Sequence, residues 1–407
     1  MQTAQSSRSS NRPTPRIAIV GAGVCGLGIG WRLAAAGCPV DIFDQGEPGQ
    51  AASWAAAGML AARAEVEPGE ETLLDLNLKA QEIWPGFAAE LEAASGMPVD
   101  YRDDGTMIVA LTRDDAEAIR FTFDLQKRLD LDVHWLSGIE ARQREQFLSP
   151  NVTAGIHSPG DHQVDNRKLV TALQRAFEAA GGTVHAHTEI RAVDIVQEKV
   201  RGVVAAADGD TDIHHAADVV VLAAGAWSRD IQGLPADLRP PVRPVKGQML
   251  SLRMDAEAPL LRHVVWAPGV YLVPRNDGTL IIGATVEEKG FDSDLTAGGV
   301  LDLLRDTWEA LPGITELSVD EMWVGHRPTS RDDAPILGPT TVDGLIMATG
   351  HHRNGILLTP ITADAVSRYI LEGIVDPAIE PFTLDRFAKS RRKRARPASD
   401  RTLGVVS

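Results

Sequence analysis

An α/β fold is predicted, with one mainly parallel sheet assembled from separated stretches of chain and a second domain, built on an antiparallel sheet, inserted between them. Three observations lead there. Residues 16–44, RIAIVGAGVCGLGIGWRLAAAGCPVDIFD, read as an apolar strand, a glycine turn, a helix-period stretch closed by Gly37, and a second strand. DVVVLAAGAWS at 218–228 is an apolar strand running into Gly225, typical of a parallel strand buried on both faces. Near the other end the strand GLIMATG leads through HHRNG into a C-terminal helix.

The first stretch is a βαβ unit. Gly21, Gly23 and Gly26 meet three needs of a dinucleotide fingerprint: a tight turn, close approach of backbone to pyrophosphate, and packing of helix on sheet. The helix N-terminus then offers unpaired N–H groups to phosphates. Asp44 ends the second strand, 18 residues after Gly26, where a carboxylate can accept hydrogen bonds from ribose hydroxyls and favours an unphosphorylated ribose. This unit predicts a dinucleotide and leaves NAD and FAD both open.

The next segments decide between them. An NAD dehydrogenase usually continues with further βα units, whereas this chain runs into GQAASWAAAGMLAARAE, whose small residues, with Ser53, Gly58 and Met59, let backbone approach a flat ring. The turn at Gly225 falls where parallel strands end against a cofactor. The helix after HHRNG is placed to point its N-terminal dipole at the flavin edge that gathers negative charge on reduction. Three distant segments converging on one cofactor predict a discontinuous FAD domain.

Composition narrows the class. With 407 residues, 44% hydrophobic and 24% charged, the chain has room for two domains. No apolar run approaches the roughly 20 residues of a membrane helix. Residues 1–15 lack an apolar core after their basic residues and read as a disordered polar leader. A net charge of −16 disfavours nucleic-acid partners, and the basic stretch RRKRARP within 391–407 reads as a solvated, flexible tail. Cys25 and Cys38 make neither a disulfide framework nor a thiolate metal cluster, so no metal site is expected and a reducing cytoplasm is the natural home. HExxH, CxxC, the P-loop and GxSxG are all missing, which leaves a cofactor as the source of chemistry.

The order of GAGVCG, WAAAGML, VVLAAGAWS, RPVKGQML, YLVPR with IIGAT, GHRPTSRDDAPILGP and ATGHHRNGILLTP resembles the glycine oxidase branch, the thiamine-biosynthesis type, of the D-amino acid oxidase family, over residues 16 to 375. The resemblance implies a glutathione-reductase-type, Rossmann-like FAD domain with an inserted substrate domain on a large antiparallel sheet. It implies oxidation of a small amino acid to the imino acid by hydride transfer from Cα to flavin N5, with O2 reduced to H2O2. Arg327 in GHRP matches the arginine that binds the substrate carboxylate, a task suited to its planar fork. Tyr271 in GVYLVPR matches the tyrosine on the same carboxylate, Arg353 an arginine beside substrate and flavin, and Met59 a methionine of the active-site wall. No general base is expected, because orientation carries the rate.

For the cofactor, the same resemblance gives Gly21, Gly23, Val24, Cys25 and Gly26, then Asp44, Gln45, Ala52, Ser53, Ala57, Gly58 and Met59. Further along it gives Ile190, Gly225, Arg327, and the run His351, His352, Arg353, Asn354, Gly355, Ile356 and Leu357. Covalent attachment in related sarcosine oxidases uses a cysteine in the C-terminal half; both cysteines here precede residue 40, so the FAD is expected to be non-covalent. His326, His352 and Thr329 replace residues more usual at their positions, and each histidine either lines the pocket or sits behind it. A sarcosine- or D-proline-type enzyme, a glycine-oxidising cyanide synthase subunit and a non-catalytic FAD-binding protein remain alternatives. A homo-oligomer is expected.

The expected division is 16–75, 156–242 and 322–390 for the FAD domain and 76–155 and 243–321 for the substrate domain. In the latter, GQMLSLR, GVYLVPR and TLIIGAT read as strands, NDG as a hairpin turn, and VLDLLRDTWEALPG, after Gly298 and Gly299, as a helix.

Overall fold

Alternate residues of the first strand serve two different cores, and this organises the larger part of the molecule. The computed structural model describes residues 14–206 and 212–388. The basic tail, and all but the last two residues of the leader, lie outside the described residues. Strand Ile17–Val20 sits inside a six-stranded sheet in the order 336–339, 345–349, 219–222, 17–20, 40–43, 183–185. Neighbours are parallel except the edge pair Ile336–Pro339 and Leu345–Thr349. Ile17 and Ile19 pack under helices Val24–Ala35, Glu71–Ser95, Asn166–Ala179 and Thr359–Glu372. Ala18 and Val20 face a second core shared with a three-stranded antiparallel sheet, Ile190–Val196, Lys199–Ala205 and Ile213–Ala216. Burial on both faces is why these strands read as unbroken apolar runs.

A second sheet of eight strands runs in the order 318–329, 243–253, 279–283, 270–274, 264–267, 106–110, 154–158, 134–137. Its pairs are antiparallel except Val264–Ala267 with Thr106–Ala110. The NDG turn joins Val270–Pro274 to Thr279–Gly283, and Gly278 takes the left-handed conformation it requires, φ +86°.

Three details differ from the sequence expectation. Strand Ser318–Thr329 stays in the eight-stranded sheet along its whole length, so residues 322–329 pair with Arg243–Arg253 rather than joining the parallel sheet. Helix Glu71–Ser95 buries Leu73, Leu76, Trp84, Phe87 and Leu91 in the helical core of the parallel sheet, not in the inserted domain. Gly298 and Gly299 fall inside helix Ala297–Ala310; Thr296 caps it, its hydroxyl accepting from Gly299 N at 3.1 Å, and a Cβ on Gly299 would meet Gln248 at 2.5 Å.

Candidate active site

One cavity of about 1260 Å³ runs from the carboxyl ends of the parallel strands to the face of the eight-stranded sheet. At the strand end, Gly21 has φ +105° and a Cβ there would lie 2.4 Å from the Ala223 carbonyl. A Cβ on Gly26 would stand 2.0 Å from Gly21 O, so this glycine lets the helix sit on the turn and does not itself line the cavity. The helix starts at Val24 with Gly23, which has no side chain, as its N-cap, and Ser53 Oγ takes the Val24 N–H. The remaining first-turn N–H groups, at the edge of the cavity, are suited to a pyrophosphate. Asp44 accepts from Ala22 N at 2.8 Å and Gly46 N at 2.9 Å, which fixes its carboxylate at the cavity wall. Burial raises its pKa and those two bonds pull it down.

The small-residue segment is held with its carbonyls turned to protein donors. Asn166 Nδ2 donates to Ser53 O and Trp54 O, both at 2.9 Å; Trp323 Nε1 donates to Ala55 O at 3.0 Å; Arg275 Nη2 donates to Ala57 O at 2.7 Å. Val164 N donates to Gly58 O at 2.9 Å, and Ser53 Oγ accepts from Val24 N at 3.1 Å. Ala52, Ser53, Ala57 and Gly58, with small side chains or none, then line the cavity. Arg275 is wholly buried against neutral partners, and this burial lowers its pKa.

The opposite wall is one row of the eight-stranded sheet: Met249, Gly283, Tyr271, Trp266 and Ile108 are successive cross-strand partners, and Trp323, opposite Met249, lies behind the lining. Gly283 has no side chain and the Tyr271 ring lies over it, 2.4–2.6 Å from where a Cβ would be. In the same way Arg327 lies over Gly247, with Nη1 2.5 Å from a Cβ position, and Nη1 donates to Thr285 O at 3.1 Å. The two functional groups therefore converge. Burial raises the Tyr271 pKa, while the adjacent Arg327 guanidinium, near enough to hydrogen-bond, pulls it down. Apart from Arg327, the phenol's hydrogen-bond partner among the described residues is the Met249 sulfur at 3.8 Å, which leaves it available to a ligand. Met59 packs in this apolar cluster with Trp266 and Trp323.

The HHRNG turn closes the third side. His351, His352, Arg353, Gly355 and Ile356 line the cavity; Asn354 and Leu357 are buried behind it, and Leu357 O accepts from Trp84 Nε1 at 2.8 Å. Arg353 is held by three carboxylates: Glu65 at 3.1 Å, Glu67 at 3.2 Å and Glu70 at 2.7 Å. Nη2 also donates to Glu65 O at 2.9 Å. Its fork is already occupied, unlike that of Arg327. His352 lies at φ 49°, with Nδ1 2.8 Å from Thr329 Oγ1, and burial among Arg353, Arg327 and Arg243 pushes its pKa down to about 4. His351, wholly buried beside Thr362 and Cys25, is likewise pushed to about 4. Both rings are neutral at physiological pH. His326 Nε2 lies 3.0 Å from Asp292 O.

Val24, Cys25, Gln45, Ile190 and Gly225 also line the cavity. Burial pushes the Cys25 thiol up to about 12, which disfavours the thiolate. Sequence reasoning passed over Glu65, Trp266, Met249, Gly247 and Gly283. A glycine within the strand patterns KGQML and IIGAT was the available signal for the last two; Glu65, in a polar run, carried none. Among the described residues no group of three or more His, Cys, Asp or Glu could hold a metal, and no helix is long and apolar enough to cross a membrane.

The comparisons with known proteins agree with this geometry. A family model described as FAD dependent oxidoreductase matches residues 16–369. The chain is 36% identical to a glycine oxidase from Geobacillus kaustophilus, over 91% of this chain and 96% of that protein. It is 34% identical to the bifunctional protein ThiO/ThiG of Trichormus variabilis, over 92% of this chain, and spans about half (56%) of that protein's length. The crystal structure of the Geobacillus kaustophilus glycine oxidase superposes with a TM-score of 0.83, covering 92% of this chain and 99% of that one. An iminodiacetate oxidase from Chelativorans sp. BNC1, 26% identical, superposes at 0.80 over 90% of this chain and 98% of that one. With a glycine cradle, a helix start and an acid at the second strand's end in one cavity, the residues present fit the cofactor of that family, and the chain belongs to the FAD-dependent oxidoreductases.

Proposed function

We propose that this enzyme oxidises glycine or another small amino acid at Cα to the imino acid, which water converts to the 2-oxo acid and ammonia, with O2 taking the electrons to give H2O2. The observation that carries the reading is the convergence of Arg327 and Tyr271 over Gly247 and Gly283, in the cavity that also holds the glycine fingerprint. The Arg327 fork pairs with a carboxylate and the Tyr271 hydroxyl donates to the same group. Bound FAD supplies a non-covalent two-electron acceptor for the Cα hydride. Gly21, Gly23, Asp44, the 52–59 wall and the 351–356 turn would hold it. Met59 and Trp266 make the substrate end apolar, which strengthens the clamp by excluding water.

A second reading, an N-substituted glycine such as sarcosine or a D-proline-like secondary amine, is favoured by the cavity's extension past Tyr271 to Trp266, Ile108 and Ile119. Likeness to a glycine oxidase and to an iminodiacetate oxidase is compatible with both readings. Two free thiols fit a cytoplasmic location, and association into a homo-oligomer is part of the proposal. Peroxide release should be measured with glycine, sarcosine, D-alanine and D-proline, under air and with a quinone acceptor. Arg327→Ala is expected to raise KM about a hundredfold while the protein stays yellow. Loss of the flavin, or an unchanged KM, would remove Arg327 from the clamp.

A further inference from the structure

Glu65 lines the same cavity as Arg327 and Tyr271 but belongs neither to the carboxylate clamp nor to the cofactor cradle. Its Oε2 lies 3.1 Å from Arg353 Nε, yet the contact is not aligned as a hydrogen bond, and both atoms are buried without a hydrogen-bond partner among the described residues. Arg353 meanwhile satisfies its other nitrogens on Glu67, Glu70 and the Glu65 carbonyl. The ion pair with Arg353 gives the Glu65 carboxylate an opposite charge but no aligned donor, and a buried carboxylate in that state is stabilised by a ligand that brings one.

The surrounding charges say which donor fits. Arg353 on the HHRNG turn and Arg327 on the long strand face Glu65, as do Glu70 and, from the loop before the short strand at 162, Asp161; Glu65 in turn acts on Tyr271. Counting Arg63, which pairs with Asp161, and Glu67, three cations stand against four carboxylates. Once a substrate carboxylate neutralises Arg327, that excess of negative charge calls for a cation.

We propose that Glu65 receives the substrate's amino group: its carboxylate accepts a hydrogen bond from the bound ammonium and takes one of its protons before the Cα–H bond is broken. One N–H bond breaks, the proton goes to the Glu65 carboxylate, the electron pair stays on nitrogen, and nothing is oxidised or reduced in that step. The lone pair then assists departure of the hydride, a step that needs no base on Cα. The carboxylate suits this task, because burial holds its pKa near 7, where both protonation states are accessible at physiological pH. Arg327 with Tyr271 at one end and Glu65 at the other make a clamp for a zwitterion, and this rests on the amino acid oxidase reading above.

The test uses the FAD-loaded enzyme and its Glu65→Gln and Glu65→Asp variants. Anaerobic bleaching of the flavin by glycine is followed between about pH 6 and 10, and binding of acetate, a carboxylate without an amine, is read from the flavin spectrum. Glu65→Gln is expected to weaken glycine about tenfold or more and to move the ionisation that limits bleaching upward by about one pH unit or more. Acetate binding stays within about twofold, and Glu65→Asp recovers part of the glycine effect. An unchanged pH profile with unchanged glycine affinity overturns the proposal. So does equal loss of glycine and acetate, which would make Glu65 a mere support for Arg353. A wild-type flavin that no amino acid bleaches at any pH overturns the underlying reading and this proposal together, whereas normal wild-type bleaching with an indifferent Glu65→Gln removes Glu65 alone.

Discussion

Arg327 and Tyr271 reach the cavity because the residues beneath them have no side chains. A methyl group on Gly247 would stand 2.5 Å from Arg327 Nη1, and the atom in its way is the far end of a flexible side chain, not backbone. Gly247→Ala should therefore fold, keep its flavin and melt within about 2 °C of the parent, while KM for the amino acid rises about tenfold. Steady-state kinetics beside a flavin spectrum and a thermal melt decide it; an unchanged KM would mean the guanidinium need not lie over that glycine. These two positions also mark a limit of reading a sequence. Arg327 and Tyr271 stand out by residue type and by the motifs around them. What makes them neighbours is strand register: Tyr271 is opposite Gly283 and Arg327 opposite Val245, and no pattern along the chain states a register between strands. Arg353 shows the converse. Its motif suggests a free cation beside the substrate, while the fold gives it Glu65, Glu67 and Glu70.

Among the elements, the HHRNG turn depends on a helix remote in sequence. Helix Glu71–Ser95 inserts Trp84, fully buried, so that Nε1 donates to Leu357 O at 2.8 Å, just after the cavity-lining residues Gly355 and Ile356. Trp84→Phe removes that donor and leaves a buried carbonyl unpaired, at a cost of about 1–3 kcal/mol. The melting temperature is expected to fall, and FAD to dissociate more readily, because the turn forming one wall loses its support. A variant that melts lower but keeps its FAD affinity would show that the turn is held by its own packing. Strands at 17–20, 219–222 and 345–349 were legible because burial on both faces writes an apolar run. The placement of helix 71–95 was not. Its apolar period shows that one face is buried but not which sheet covers it, and sequence proximity to the inserted domain points the wrong way.

The molecule assembles its cofactor site from three separated stretches of chain, and across its sheets burial disfavours the charged form of several histidines. His157, His351 and His352 are each pushed down to about 4 by burial, and His162 and His215 are shifted in the same direction. A histidine whose folded pKa is depressed binds fewer protons folded than unfolded below about 6.5, so its contribution is complete above that pH and is lost as pH falls toward 4. Glu65, raised to about 7 from an unfolded 4.5, works the other way, stabilising at acid pH and losing this between 4.5 and 7. Asp44, Glu70, Asp161 and Asp364 are raised by burial in the same direction as Glu65 and oppose the five histidines, so the histidine effect is read at a single site. His157 isolates the effect, because it lies in strand Ala154–Ser158, far from the clamp in sequence, and neither ring nitrogen has a hydrogen-bond partner among the described residues. An apolar side chain there removes both the orphaned nitrogens and the proton uptake. His157→Leu is expected to raise the melting temperature by about 2 °C or more at pH 5 relative to wild type, and by less at pH 8. Melting curves for the two proteins that run parallel across this range would show that His157 does not titrate on unfolding.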